Sequence, residues 1–223
     1  VGNNSGPTIT KITPNGTASS FGFNLSQPTG VAVNSAGDVF IANESSGEIV
    51  EVSPDGSSES LFASGLDDPN YLAFNSAGDL FESDWGSGKI YEFINGTKTL
   101  YASGFANPTG LAFNNAGNLF VASDLDGGGV SEITSSGTTT IISGLNDTQS
   151  LAFDNAGDLF IAVAGTANQS GDIEEITSTG AKVFSTQVNA PYGLAIAPVP
   201  EPSTLALLAA GAAAVAVRLR RKE

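Results

Sequence analysis

The 223 residues contain no histidine, no cysteine and no methionine. Missing cysteine excludes disulfide staples, thiol nucleophiles and thiolate metal sites, and missing histidine excludes imidazole general bases and the usual zinc ligand sets. Chemistry is left to carboxylates, amides and hydroxyls. Positive charge is also scarce: up to residue 198 there are four lysines and no arginine against 21 Asp and Glu. A body this acidic repels phosphate backbones, so nucleic acid is not expected as a partner. Cations, sugars and basic proteins are compatible with it. Basic residues gather only at the end, where Arg218, Arg220, Arg221 and Lys222 oppose Glu201 and Glu223. Because the chain opens on Val1 rather than methionine, its start is expected to reflect processing or truncation.

What is plentiful is glycine, 27 residues, among many Ser, Thr and Asn, a composition that suits a turn-rich all-β protein. One phrase recurs: Gly37-Asp38-Val39-Phe40, Gly78-Asp79-Leu80-Phe81, Gly117-Asn118-Leu119-Phe120 and Gly157-Asp158-Leu159-Phe160, at spacings of 41, 39 and 40. A short apolar strand A precedes each phrase, as Val31-Ala32-Val33, Leu72-Ala73-Phe74, Leu111-Ala112-Phe113 and Leu151-Ala152-Phe153. The phrase itself opens strand B. Strand C follows as Glu48–Val52 and around Ile90, Val130 and Ile173. A turn with Gly56, Gly96, Gly137 or Gly180 then leads to strand D, as at Leu61-Phe62 or Leu100-Tyr101. Four strands in about 40 residues is the arithmetic of a propeller blade, in which each repeat buries its faces against its neighbours.

The fold class expected is therefore all-β: a β-propeller over 1–198, with blades at about 27–66, 67–105, 106–146 and 147–189. Residues 1–26 and 190–198 supply parts of a fifth. Val1-Gly2-Asn3 aligns with Ile41-Ala42-Asn43, carrying Ile9 onto Ile49, while Ala190–Ile196 reads as one more strand A. Two arrangements follow. In one, these ends join as a split fifth blade; in the other, which is favoured, the chain is cut within a blade and the natural ring has six or more.

These residues resemble the NHL-repeat family and the related gluconolactonase-type propellers, whose repeats share Pro-x-Gly-Leu-Ala-Phe followed by Gly-Asp-Leu-Phe-Val-Ala. Asn107-Pro108-Thr109-Gly110-Leu111-Ala112-Phe113 with Gly117-Asn118-Leu119-Phe120-Val121-Ala122 carries the likeness. In such propellers the residues leading into strand A and leaving strand B line one mouth of a central channel. The resemblance so implies a polar mouth with Asn43, Asn70, Asp84, Trp85, Thr109, Asp124 and Gln149 as candidate binding residues. The gluconolactonase-type enzymes hold a divalent metal there through oxygen ligands. What this implies is a Ca2+ or other divalent site at Asn70, Asp84 and Asp124. Those enzymes also use a first-blade Glu, for which no counterpart is identified.

After residue 198 the character changes. Val199-Pro200-Glu201-Pro202 is followed by 13 uncharged, mostly Ala and Leu residues from Leu205 to Val217, then by the basic cluster Arg218, Arg220, Arg221 and Lys222. A short hydrophobic helix is expected over 205–217; at about 20 Å it falls short of a bilayer core of about 30 Å unless the arginines snorkel. This arrangement resembles the PEP-CTERM tail of bacterial exported proteins. The resemblance implies an exosortase-type processing enzyme as partner and transient anchoring in the inner membrane. Release to the cell surface or extracellular matrix of a Gram-negative-type bacterium would follow. The favoured reading is a non-catalytic module binding a glycan or protein ligand, with no certain cofactor; the alternative is a metal-dependent sugar lactonase.

Overall fold

The computed structural model describes residues 8–125, 128–165, 171–180, 182–188, 191–196 and 214–215. The chain divides into two compact units, 1–111 and 112–223. The first opens with a hairpin of Ile9–Ile12 (β1) and Ala18–Phe21 (β2). A four-stranded antiparallel sheet follows, Pro28–Val33 (β3), Val39–Asn43 (β4), Glu48–Val52 (β5) and Glu59–Ser64 (β6), paired in chain order. The second sheet repeats it: Pro69–Phe74 (β7), Leu80–Asp84 (β8), Lys89–Ile94 (β9) and Thr97–Ser103 (β10).

The unit boundary falls within Pro108–Phe113 (β11), which begins the third sheet with Leu119–Ser123 (β12), Gly129–Thr134 (β13) and Gly137–Ser143 (β14). The fourth comprises Thr148–Phe153 (β15), Leu159–Val163 (β16), Gly171–Ile176 (β17) and Lys182–Val188 (β18). These are the four blades of an all-β propeller fold. Gly193–Leu194 (β19) pairs in parallel with Ala214–Val215 (β20). Apart from these two residues, the helix expected over 205–217 lies outside the described residues. So do the strand expected at 1–3, the motif Val199, Pro200, Glu201, Pro202 and the cluster Arg218, Arg220, Arg221, Lys222.

The recurring phrase has a local cause. Asn34 Oδ1 accepts the amides of Ala36 and Asp38 at 3.0 and 2.9 Å, and the same pair of bonds is made by Asn75, Asn114 and Asp154. Each is an Asx turn joining strand A to strand B. Gly37, Gly78, Gly117 and Gly157 sit in it at φ between 83° and 92°, where a side chain is penalised. Strand register, and hence which face turns inward, is thus set at the turn.

Among the described residues, inward faces meet in three apolar clusters. In the first unit, Ile41, Val50 and Val52 pack with Ile9, Phe21 and Leu25, while Phe40, Ala42 and Ile49 pack with Leu72, Leu80 and Phe93. In the second, Phe120, Ala122 and Val130 pack with Leu151, Leu159, Ile161 and Val163. Each fully buried aliphatic or aromatic side chain contributes roughly 1.5–3 kcal/mol, so these seams hold the first sheet to the second within the first unit and the third to the fourth within the second. At the innermost strands the backbones themselves approach: a Cβ on Gly30 of β3 would lie 2.6 Å from Asn70 O of β7. The outer strands β10 and β14 are exposed along most of their length.

Candidate functional site

The residue just before each strand A adopts the left-handed conformation without being glycine: Gln27, Asp68, Asn107 and Asp147, at φ of 50° to 62°. Such φ values are uncommon outside glycine and best tolerated by Asn and Asp. They turn the preceding loop onto the loop that leaves strand B. Glu44 N donates to Gln27 O at 3.2 Å, Trp85 N to Asp68 O at 3.2 Å and Ala164 N to Asp147 O at 2.8 Å.

Side chains at the end of strand B tighten these loop pairs. Asn43, 2% exposed, accepts the Ser26 amide through Oδ1. Asp84, 1% exposed, accepts Asp67 N through Oδ2 at 2.9 Å and Ser87 N through Oδ1 at 3.2 Å. Both oxygens are therefore engaged by backbone amides of its own blade. Neighbouring blades are linked too. Thr29 Oγ1 donates to Pro69 O at 3.1 Å, and Ser83 Oγ accepts Tyr71 N at 3.0 Å while donating to Thr109 O at 2.6 Å.

Of the sequence candidates in the first unit, Asn70 is half-buried as the second residue of β7, Thr109 is buried at the same position of β11, and Trp85 is half-buried in the loop behind Asp84. In the second unit, Gln149 is again the second residue of its strand A, and its Nε2 donates to Asp147 Oδ1. Asp124 needs a correction of register. Strand β12 ends at Ser123, which is the counterpart of Asn43 and Asp84, so Asp124 stands one place further on, in line with Trp85. From there its carboxyl hydrogen-bonds Asp147. Burial, then this bond and the Asp124 charge, push the Asp147 carboxyl up to about 6, against the opposing bond from Gln149.

Asp84 gives one lone pair of each oxygen to a backbone amide, and among the described residues no group of three or more His, Cys, Asp or Glu side chains is placed to hold a metal ion.

Sequence reasoning passed over two groups. One is Asp147. The other is Glu82, in the middle of β8, fully buried, with neither Oε1 nor Oε2 hydrogen-bonded. The strand pairs it with Leu72 and Tyr91, and its repeat counterparts are Ile41, Val121 and Ile161, all apolar and buried. Burial above all, and then the Asp84 charge, hold its carboxyl well above the usual carboxylate range, with Lys98 opposing. Replacement of a repeat's apolar residue by Glu was visible in the sequence and is the signal that would have found it.

Fold and loop pairing together define a β-propeller. Solved structures with the same architecture include virginiamycin B lyase from Staphylococcus aureus, 19% identical with a TM-score of 0.68 over 85% of this chain and 67% of that one. A gluconolactonase from Xanthomonas campestris is 15% identical, with a TM-score of 0.70 over 82% of this chain and 69% of that one. A chain of a nidogen/laminin complex is 14% identical, with a TM-score of 0.65 over 84% of this chain and 94% of that one. The chain thus spans about two thirds of the lyase and gluconolactonase chains. At these identities the likeness is one of fold. No curated protein matches in sequence. The particular mark of this chain is at its end: residues 198–222 match the PEP-CTERM protein-sorting motif. It is a β-propeller with an exosortase sorting signal, and so an exported protein.

Proposed function

We propose that the propeller is a non-catalytic binding module, displayed at the cell surface or in the extracellular matrix of a Gram-negative-type bacterium after exosortase processing. The observation that carries this is the work done by the loop carboxylate and amide: Asp84 and Asn43, where an enzyme of this architecture would present polar groups to a substrate, are buried and bonded to backbone amides. Bonds of this kind fix the loops before a ligand arrives, which lowers the ordering cost of binding. The fold serves enzymes and, in the nidogen/laminin complex, a protein assembly, so it is neutral between the two roles. In this reading the apolar run 205–217 holds the chain in the inner membrane with its basic end cytoplasmic until cleavage near Pro200-Glu201-Pro202.

The test is a glycan and protein array probed with the full chain, run beside a lactone-hydrolysis assay with and without Ca2+. Selective retention on the array without turnover is expected. Metal-dependent turnover with a blank array would overturn the reading and favour the lactonase.

A further inference from the structure

The first unit carries a cleft of about 510 Å³ at the end of β3 and β7 away from the paired loops. Its volume lies within the roughly 300–1,000 Å³ of small-ligand sites. Phe62 and Phe74 border it, partly buried, over the buried rings of Phe40 and Phe93, and Phe40 meets Phe62 and Phe74 edge-on at 4.9 and 5.2 Å between ring centres. Two Asx turns bound it, that of Asn34 from the first blade and that of Asn75 from the second.

A short turn borders the cleft. Between strands C and D the second blade has only Asn95-Gly96, both at positive φ, the two-residue hairpin such residues favour. In the first blade this connection is longer and places the Pro54 ring 3.4 Å from a Cβ on Gly37. In the fourth, Ser178 N donates to Asp158 Oδ1 at 3.0 Å and Asp158 is buried. In the third, where the turn is again short, Asn118 Nδ2 donates to Glu132 Oε1 at 2.8 Å. The second blade has Asp79 at this position and Glu92 opposite, two carboxylates that repel one another when both are ionised. Asp79 takes only the Asn75 amide, at 3.0 Å, and stays half-exposed on the cleft.

We propose that this cleft is a ligand site in its own right and takes a glycan residue bearing no negative charge. The partly buried rings of Phe62 and Phe74 suit the C–H face of a pyranose, and the exposed Asn95 carboxamide and the half-exposed Asp79 carboxylate suit its hydroxyls. No lysine or arginine lines the cleft to receive an anion. The inference rests on the proposed binding role and gives it a place and a ligand class.

Calorimetric titration of the full chain with chitobiose, a glucosamine dimer and digalacturonate tests it. Binding of either of the first two, at least tenfold tighter than digalacturonate, is expected, with amide NMR shifts confined to Asn75–Asp79, Asn95–Gly96 and their neighbours. Ser76→Trp and Ser35→Trp, exposed turn positions beside the cleft, should each weaken binding at least tenfold with an unchanged melting temperature. Unaltered binding in both variants, preference for digalacturonate, or no binding of any of the three overturns the inference. The binding role itself falls only if the wider array is blank as well.

Discussion

Replacing Glu82 should stabilise the protein, and by an amount that grows with pH. Its carboxyl is buried without a hydrogen bond, where the equivalent residues of the other repeats are Ile41, Val121 and Ile161. In the unfolded chain Glu titrates near 4.3, while the folded value is raised. Below the unfolded value both states hold the proton and no pH-dependent cost exists. Above it, the unfolded state releases a proton that the folded state keeps, and stability falls by about 1.4 kcal/mol per pH unit until the folded value is passed. Glu82→Gln should abolish this slope but keep an unsatisfied polar group, which costs about 1–3 kcal/mol. Glu82→Ile removes both costs and restores the apolar seam between β4 and β8, so at pH 7 it should exceed wild type by at least about 2 kcal/mol. Urea denaturation of the three proteins from pH 4 to pH 9 measures this, other titrations cancelling in the differences. A wild-type-minus-Ile difference that is flat with pH, or an Ile variant less stable than wild type, would refute the reasoning.

Other outcomes follow from the same structure. Asp84→Ala strips acceptors from the amides of Asp67 and Ser87 and should cost about 2–4 kcal/mol in chemical denaturation, with Asp84→Asn costing less because one acceptor survives. Gly30→Ala drives a methyl group against Asn70 O and Tyr71 Cα and should destabilise by about 1–3 kcal/mol, detected as a lowered melting temperature. Asp147, raised to about 6, keeps its proton in the folded state after the unfolded chain has lost it, so stability falls as pH rises from about 4 to 6, and the pairing with Asp124 is lost as the folded carboxyl ionises near 6. Carboxyl carbon NMR should show this titration near 6, shifted downward in Asp124→Asn.

Much of the blade plan was legible because each phrase carries its own geometry. Asn34, Gly37 and Asp38 make a turn by bonds among themselves, so their recurrence as Asn75, Gly78 and Asp79 reports the same turn without reference to the rest of the chain. Strand C at Glu48–Val52 was likewise readable from alternation. The site was less so, since its features depend on partners distant in sequence. Asp84 looks like a ligand in the string of residues; only folding brings the Asp67 amide, 17 residues away, onto its carboxylate. Asp124 resembles Asp84 in type, yet strand pairing puts Ser123 at the place of Asp84. The carboxyl pair it forms with Asp147 joins two loops whose proximity no local pattern encodes. Glu82 was visible as an exception to the repeat, yet that neither of its oxygens is bonded is a property of the packed seam.

The central claim, an exported binding propeller addressed by its tail, is tested most directly by fractionating cells of an exosortase-bearing Gram-negative bacterium that express the chain with Pro200-Glu201-Pro202 intact or replaced by three alanines. The intact chain should appear at the surface or in the medium, shortened by its tail, and the altered one should stay full-length in the inner membrane. Equal surface display and equal length of the two would contradict the account.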